Sequence, residues 1–353
     1  MPIVKLTGSE AWDAIYVICV DRRGVEKYEF NEQGRCVRLS DTVAALLASA
    51  AITDVIIAAH GLCNHGDKAV SCYKKWMEAM AMSTSAGLAA LQHSRAAAFR
   101  PLLVGISWSS QPYAPPTGQE CVKYVDDVVT AGVDATRSAA PVAIVAGGTA
   151  GLAATGGNFF GGAFGATLGA AGAVAKGGYK SVKAAFCGAC LGGHVVLAAL
   201  RGRPPTGGAP PPPRRAVDSV LLVQAAVPAD CFTAGACYDG LLSPAVAGVV
   251  VVTRSASDKA LAKRYRVCQP APPPLGAAGA TGDVPIWRTV LNAGSAVDGT
   301  TLRRGRVTDV DATAVIRLRE DAYVENCLAG SHANILSDEV LDLLWAAVAA
   351  AVA

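Results

Sequence analysis

The chain has 353 residues, 52% of them hydrophobic and 17% charged, with a formal net charge of +3. That length holds one large domain or two ordinary ones. So small a charge, scattered without a basic cluster carrying interleaved aromatics, argues against nucleic acid as a partner.

In chain order, the strand-like runs Ala14–Val20 and Val25–Phe30 flank Asp21-Arg22-Arg23-Gly24, which predicts a hairpin. A helix follows over Asp41–Ala51, with Ser40 or Asp41 as its N-cap. Val55–Ala59 is a short, wholly apolar strand running into His60-Gly61. Helices are predicted at Asp67–Ala81 and Thr84–Ala98, and a second buried strand at Leu102–Trp108. From Ser138 to Ala175 no residue is charged. Glycine recurs there at four-residue spacing, at Gly147 and Gly151 and again at Gly161, Gly165 and Gly169. Gly156-Gly157-Asn158 breaks the run, so residues 138–178 read as an inserted apolar helical hairpin, a cap or lid.

The strand pattern resumes at Val182–Cys187, followed by a helix over Leu191–Leu200. Further strands are predicted at Ser219–Gln224, Gly248–Thr253 and Ala314–Leu318, and a last helix from Asp338 to about Val352. The Pro/Gly-rich stretches 203–214 and 269–282 read as exposed loops between sheet elements. Apolar strands alternating with helices predict an α/β fold: a mostly parallel central sheet, helices on both faces, one domain over 1–353.

One turn carries chemistry. Gly188-Ala189-Cys190-Leu191-Gly192 stands between a strand and a helix, a G-x-nucleophile-x-G elbow. The bend exposes its central residue, and side chains larger than glycine would collide two positions either side. The helix start behind it favours a thiolate, and the Leu191 amide is placed as an oxyanion-hole donor. Three further features fall in a suggestive order. His60-Gly61-Leu62 leaves a strand where a second oxyanion amide is wanted, from Gly61 or Leu62. Asp258 lies just beyond the strand Gly248–Thr253, and Gly330-Ser331-His332 precedes the final helix. Asp309 and Asp311 are alternatives to Asp258 as the acid, and His194, His65 and His93 are weaker histidine candidates. Cys187 and Cys190 form a C-x-x-C, but no second pair stands at zinc spacing.

From about Asp54 to its end the chain resembles the α/β-hydrolase superfamily, in a branch of poorly characterised bacterial-type hydrolases. The phrases that carry this are His60-Gly61-Leu62 with Asn64, Val104–Trp108 followed by Ser109, and Val223–Pro228. The resemblance implies Cys190 as nucleophile, His332 as general base and then acid, and Asp258 as the group orienting the imidazole. His60 and Trp108 are expected beside the substrate. Most relatives carry serine at the elbow, and the cysteine is similar to dienelactone-hydrolase-like enzymes.

Cysteine acyl-enzymes are thioesters, which favours activated esters, lactones or thioesters with a small acyl or lipid-like group. An acyltransferase using the same triad is one alternative. Another is a non-catalytic protein of this fold whose segment 138–178 contacts membrane or self-associates. No dinucleotide fingerprint, P-loop or metal-ligand spacing occurs, so no cofactor or metal is expected. Eleven cysteines, an odd number with several inside helix or strand runs, read as reduced thiols. With no secretory leader pattern after Met1, a cytoplasmic protein is expected, with peripheral membrane association through 138–178 left open.

Overall fold

Strands that are apolar along their whole length need cover on both faces, and the central strands here have it. The structure, a computed structural model, describes residues 3–5, 14–19, 27–30, 35–49, 52–61, 67–94, 99–108, 183–201, 217–265, 272–297, 299–317, 335 and 337–350. The elements among them begin with β1 (Ile3–Lys5), β2 (Ala14–Cys19), β3 (Glu29–Phe30), β4 (Cys36–Val37), α1 (Leu39–Ser49) and β5 (Asp54–Ala59). Next come α2 (Asp67–Met82), α3 (Ala86–Ser94), β6 (Pro101–Ser107), β7 (Lys183–Ala189), α4 (Gly192–Arg201) and β8 (Val217–Val223). They continue with α5 (Leu242–Ala245), β9 (Val246–Arg254), α6 (Leu275–Ala278), β10 (Ile286–Val290), β11 (Val307–Asp311) and α7 (Asp338–Ala350). A π-helical turn at Ala260–Tyr265 and a 3-10 turn at Gly299–Thr301 complete the set.

Nine strands form one sheet in the order β1-β2-β6-β5-β7-β8-β9-β11-β10. From β2 onward each neighbour pair is parallel; β1 alone runs antiparallel, on the edge beside β2. Alternate side chains go to opposite faces, so one strand feeds two cores. Val55, Ile57 and Ala59 pack on the face covered by α1 and α4, with Val43, Leu47, Val196 and Leu200. Ile56 and Ala58 pack on the other, with Tyr73, Met77, Leu91 and Trp345 from α2, α3 and α7. This is the mostly parallel α/β sheet that the strand and helix pattern predicts.

Three expectations are corrected, and one strand appears where none was predicted. Among the described residues no ladder joins Ala14–Cys19 to Glu29–Phe30: β2 pairs with β1 and β6, β3 pairs with β4, and Lys27 N donates to Cys19 O at 2.9 Å between the two runs. The strand expected at Ala314–Leu318 is overturned by turns at 313–315, while β11 lies upstream at Val307–Asp311. Its sequence, VTDVD, contains acids that mask a strand signal. β10, IWRTV, is an unexpected strand on the sheet edge, where half-exposed positions blur the apolar pattern. The described part of 269–282 is no exposed loop: Leu275, Gly276 and Ala280 are buried, in and just after α6. Segments 138–178 and 203–214, with their predicted hairpin and loop, lie outside the described residues. Among the described residues no helix is long and apolar enough to cross a membrane.

Candidate active site

Only two non-glycine residues among those described have positive φ: Cys190 at 54° and Gln224 at 45°. They end neighbouring parallel strands, β7 and β8, at the carboxyl edge where open α/β sheets bind ligands. Such backbones cost on the order of 1–3 kcal/mol each and persist only when their surroundings impose them. At Cys190 the constraints are visible. Its amide donates to Val223 O at 3.2 Å, and its carbonyl accepts from Gly193 N at 3.1 Å and Ala226 N at 2.9 Å.

The elbow glycines are there for space. A Cβ on Gly188 would stand 2.7 Å from Gly192 O, and one on Gly192 would stand 2.1 Å from Ala59 O. The pairing of Ala59 with Gly188 brings the end of β5 beside the elbow. A Cβ on Gly61 would lie 2.5 Å from Cys190 Cβ and 3.3 Å from its Sγ. The turn after β5 therefore runs against the candidate nucleophile. Among the described residues the Leu191 amide has no backbone acceptor, which leaves it able to serve an oxyanion. Leu62, His65 and His332 lie outside the described residues.

His60 and Trp108 hold this turn. Both are buried, at 3% and 5% exposure, and their rings stack at 5.4 Å with 7° between planes. His60 Nδ1 lies 2.8 Å from Gly61 O, while its Nε2 faces Trp108 N–H at 3.3 Å. A carbonyl on one side and an N–H on the other assign the neutral Nδ1–H tautomer. Trp108 Nε1 donates to His60 O at 3.1 Å. These contacts tie both side chains to the loop. Tyr73 of α2, which sequence reasoning missed, adds to them. Its hydroxyl donates to Ile106 O at 2.6 Å and accepts from His60 N at 2.9 Å, across the ends of β5 and β6.

Asp258 is completely buried. Oδ2 accepts from Gln224 Nε2 at 3.0 Å and Oδ1 from Leu261 N at 3.0 Å. Capping the turn at Ala260–Tyr265 is thus one of its tasks, and a carboxylate retains lone pairs for a further donor. The rival acids are engaged by guanidinium groups. Arg254 Nε lies 3.3 Å from Asp309 Oδ1, Arg254 Nη2 lies 2.9 Å from Asp311 Oδ2, and Arg288 Nε lies 3.5 Å from Asp309 Oδ2. Neither Asp309 oxygen makes a well-aligned hydrogen bond. Burial raises its pKa, against the pull of Arg254 and Arg288. Asp258 instead takes neutral amide donors, one of them from the residue that ends β8, the strand beside the elbow.

The C-x-x-C pair is no redox couple. Cys187 packs on the face of α2, α3 and α7, while Cys190 packs on the opposite one. Burial pushes the Cys187 thiol up to about 12, so it stays protonated. His194 is a buried helix residue. Its Nδ1 lies 3.0 Å from Tyr238 Oη, and burial pushes its pKa down to about 4. His93 is exposed on α3. Among the described residues no cluster of three or more His, Cys, Asp or Glu could hold a metal.

Gln224 is the other residue that sequence reasoning missed. Its signal is one long amide in the middle of the otherwise apolar run Val220–Val227. Compared with known proteins, the chain matches no family model, no curated protein and no solved structure.

Proposed function

We propose that the chain is an acyl-transfer enzyme of the α/β-hydrolase type, hydrolysing esters, thioesters or lactones through Cys190. One observation carries the reading: a cysteine held at φ 54° in a strand–turn–helix elbow, with the backbone of Gly61 against its side chain. A structural cysteine at a helix start needs neither the strain nor the glycine. The acid Asp258 and the Leu191 amide support it by position, and His332 enters from its place in the sequence, after nucleophile and acid.

The chemistry follows from these roles. The Cys190 thiolate adds to the acyl carbon, and the developing oxyanion is met by the amides of Leu191 and of the turn at Gly61. Collapse expels the leaving alcohol or thiol, which takes its proton from His332. Water, deprotonated by His332, then cleaves the thioester and restores the thiol. Asp258 orients the imidazole and stabilises its charged form. Buried thiols at Cys187 and Cys231 fit a reducing, cytoplasmic setting.

The test uses the full chain and p-nitrophenyl esters of short acids. Cys190→Ala is expected to remove turnover, and iodoacetamide to modify Cys190 first among the eleven cysteines. Unchanged turnover in Cys190→Ala would sink the proposal. Added alcohols or thiols, followed by product analysis, separate hydrolysis from transfer.

A further inference from the structure

The carboxylate of the proposed site is met by a side chain from another strand. Gln224 is completely buried at the end of β8. Its Nε2 donates to Asp258 Oδ2 and to Gly276 O, each at 3.0 Å. Its Oε1 accepts from Thr253 Oγ1 at 3.1 Å, and its own backbone amide donates back to Thr253 Oγ1 at 3.0 Å. These partners set the amide orientation. Nε2 faces two acceptors and Oε1 faces a hydroxyl, so a flipped amide would oppose oxygen to oxygen. Both protons of the side-chain amide are used, and satisfied buried networks of this kind specify a single geometry.

The same residue belongs to the backbone that holds the elbow. Val223 O accepts from the Cys190 amide, and Ala226 N donates to Cys190 O. On the other side Gly276 N donates to Ala225 O, and Gly276 O accepts from Ser255 N beside the acid loop. A Cβ on Gly276 would stand 2.6 Å from Gln224 Cα, so α6 is pressed onto this joint.

We infer that Gln224 is a positioning residue for the Asp258 carboxylate, tying the acid to the Cys190 elbow through residues 223–226. The inference rests on the proposed roles of Cys190, Asp258 and His332. It deepens them by naming what sets the acid's direction. With Oδ1 held by Leu261 N and Oδ2 by Gln224 Nε2, the carboxylate has one rotamer, and so one direction in which to receive an imidazole N–H. Without the Gln224 donor only Leu261 N holds the carboxylate, so its Oδ2 can swing away, the imidazolium loses stabilisation, and the thiolate it supports forms only at higher pH.

The test compares the parent with Gln224→Met, which keeps length but not the amide, and Gln224→Glu, which keeps shape. Three readouts are taken: thermal melting, kcat and KM for a p-nitrophenyl ester, and the pH dependence of Cys190 alkylation by iodoacetamide. Gln224→Met is expected to lose at least about tenfold in kcat with KM changed less than about twofold, as lost orientation does. Its alkylation midpoint is expected to move up by about one pH unit, from the weakened ion pair. In Gln224→Glu the new carboxyl can donate only when protonated, so its activity relative to the parent should rise as pH falls toward about 5.

A role in packing alone would lower the melting temperature yet leave the alkylation midpoint and the activity ratio flat with pH. That result overturns the inference. The Gln224→Glu ratio decides the matter if Gln224→Met does not fold. Turnover that survives Cys190→Ala overturns both the site and the inference. Cys190-dependent turnover with parent-like pH profiles in the Gln224 variants overturns the inference alone.

Discussion

Gly61→Ala should drive the turn after β5 and the proposed nucleophile elbow at Cys190 apart. The added methyl would stand 2.5 Å from Cys190 Cβ and 3.3 Å from Sγ. Non-bonded carbons settle at about 3.5–4.0 Å, so roughly 1 Å has to be found. Gly61 has no left-handed backbone to preserve, which makes the effect steric alone. Neither side yields easily. The turn is pinned by the Tyr73 hydroxyl and by the His60–Trp108 pair. The elbow is pinned by Val223 O and Ala226 N. Overpacking of this kind costs about 1–3 kcal/mol, and a 1 Å displacement of reacting groups costs about 100-fold in rate. The expected outcome is an earlier melt, a large fall in ester turnover and slower alkylation of Cys190 by iodoacetamide, followed by peptide mapping. A variant that melts with the parent and alkylates at the parent rate would show that Gly61 does not touch the elbow, and the oxyanion assignment would fall with it.

His194 ties stability to pH. Its folded pKa, near 4, lies below the ordinary 6.5, so the unfolded chain takes the proton first as pH falls. Stability contributed by the buried neutral ring is complete above pH 6.5 and is lost on the way down to pH 4. At about 1.4 kcal/mol per pH unit the loss approaches about 3 kcal/mol. Urea unfolding of His194→Gln between these limits should show a shallower decline than the parent, and a parallel decline would contradict the burial argument. Arg254→Met removes a cation from the buried Asp309 and should destabilise by about 3 kcal/mol at pH 7. Because burial raises the Asp309 pKa, that penalty should shrink as acidification neutralises the carboxyl. A penalty constant from about pH 7 to about pH 4 would place the effect elsewhere.

Much of the candidate elbow's geometry was legible because it is local. The glycines at 188 and 192 announce a bend that larger side chains cannot make, and the contacts of 2.7 Å and 2.1 Å awaiting a Cβ are the reason. His60-Gly61 follows an apolar strand, and in a parallel sheet every such strand delivers its next residues to the same edge. Gln224 was not legible as a partner of Asp258. Thirty-four positions separate them, and nothing in a single glutamine names the acceptor it will find.

The sequence by itself determined the strand and helix alternation, the parallel sheet with two covered faces, and the elbow with Cys190 at its tip. Those follow from periodicity, glycine sterics and the length of apolar runs, which act over a few residues. Only the tertiary structure decided which strand neighbours which. It gave β2 to β1 and β6, buried α6 under what composition presented as a loop, and engaged Asp309 and Asp311 with Arg254. It also turned the His60 ring onto Trp108 and the Gln224 amide onto Asp258. Pairings of this kind depend on which distant groups share a desolvated space, where an unmet donor or charge is costly.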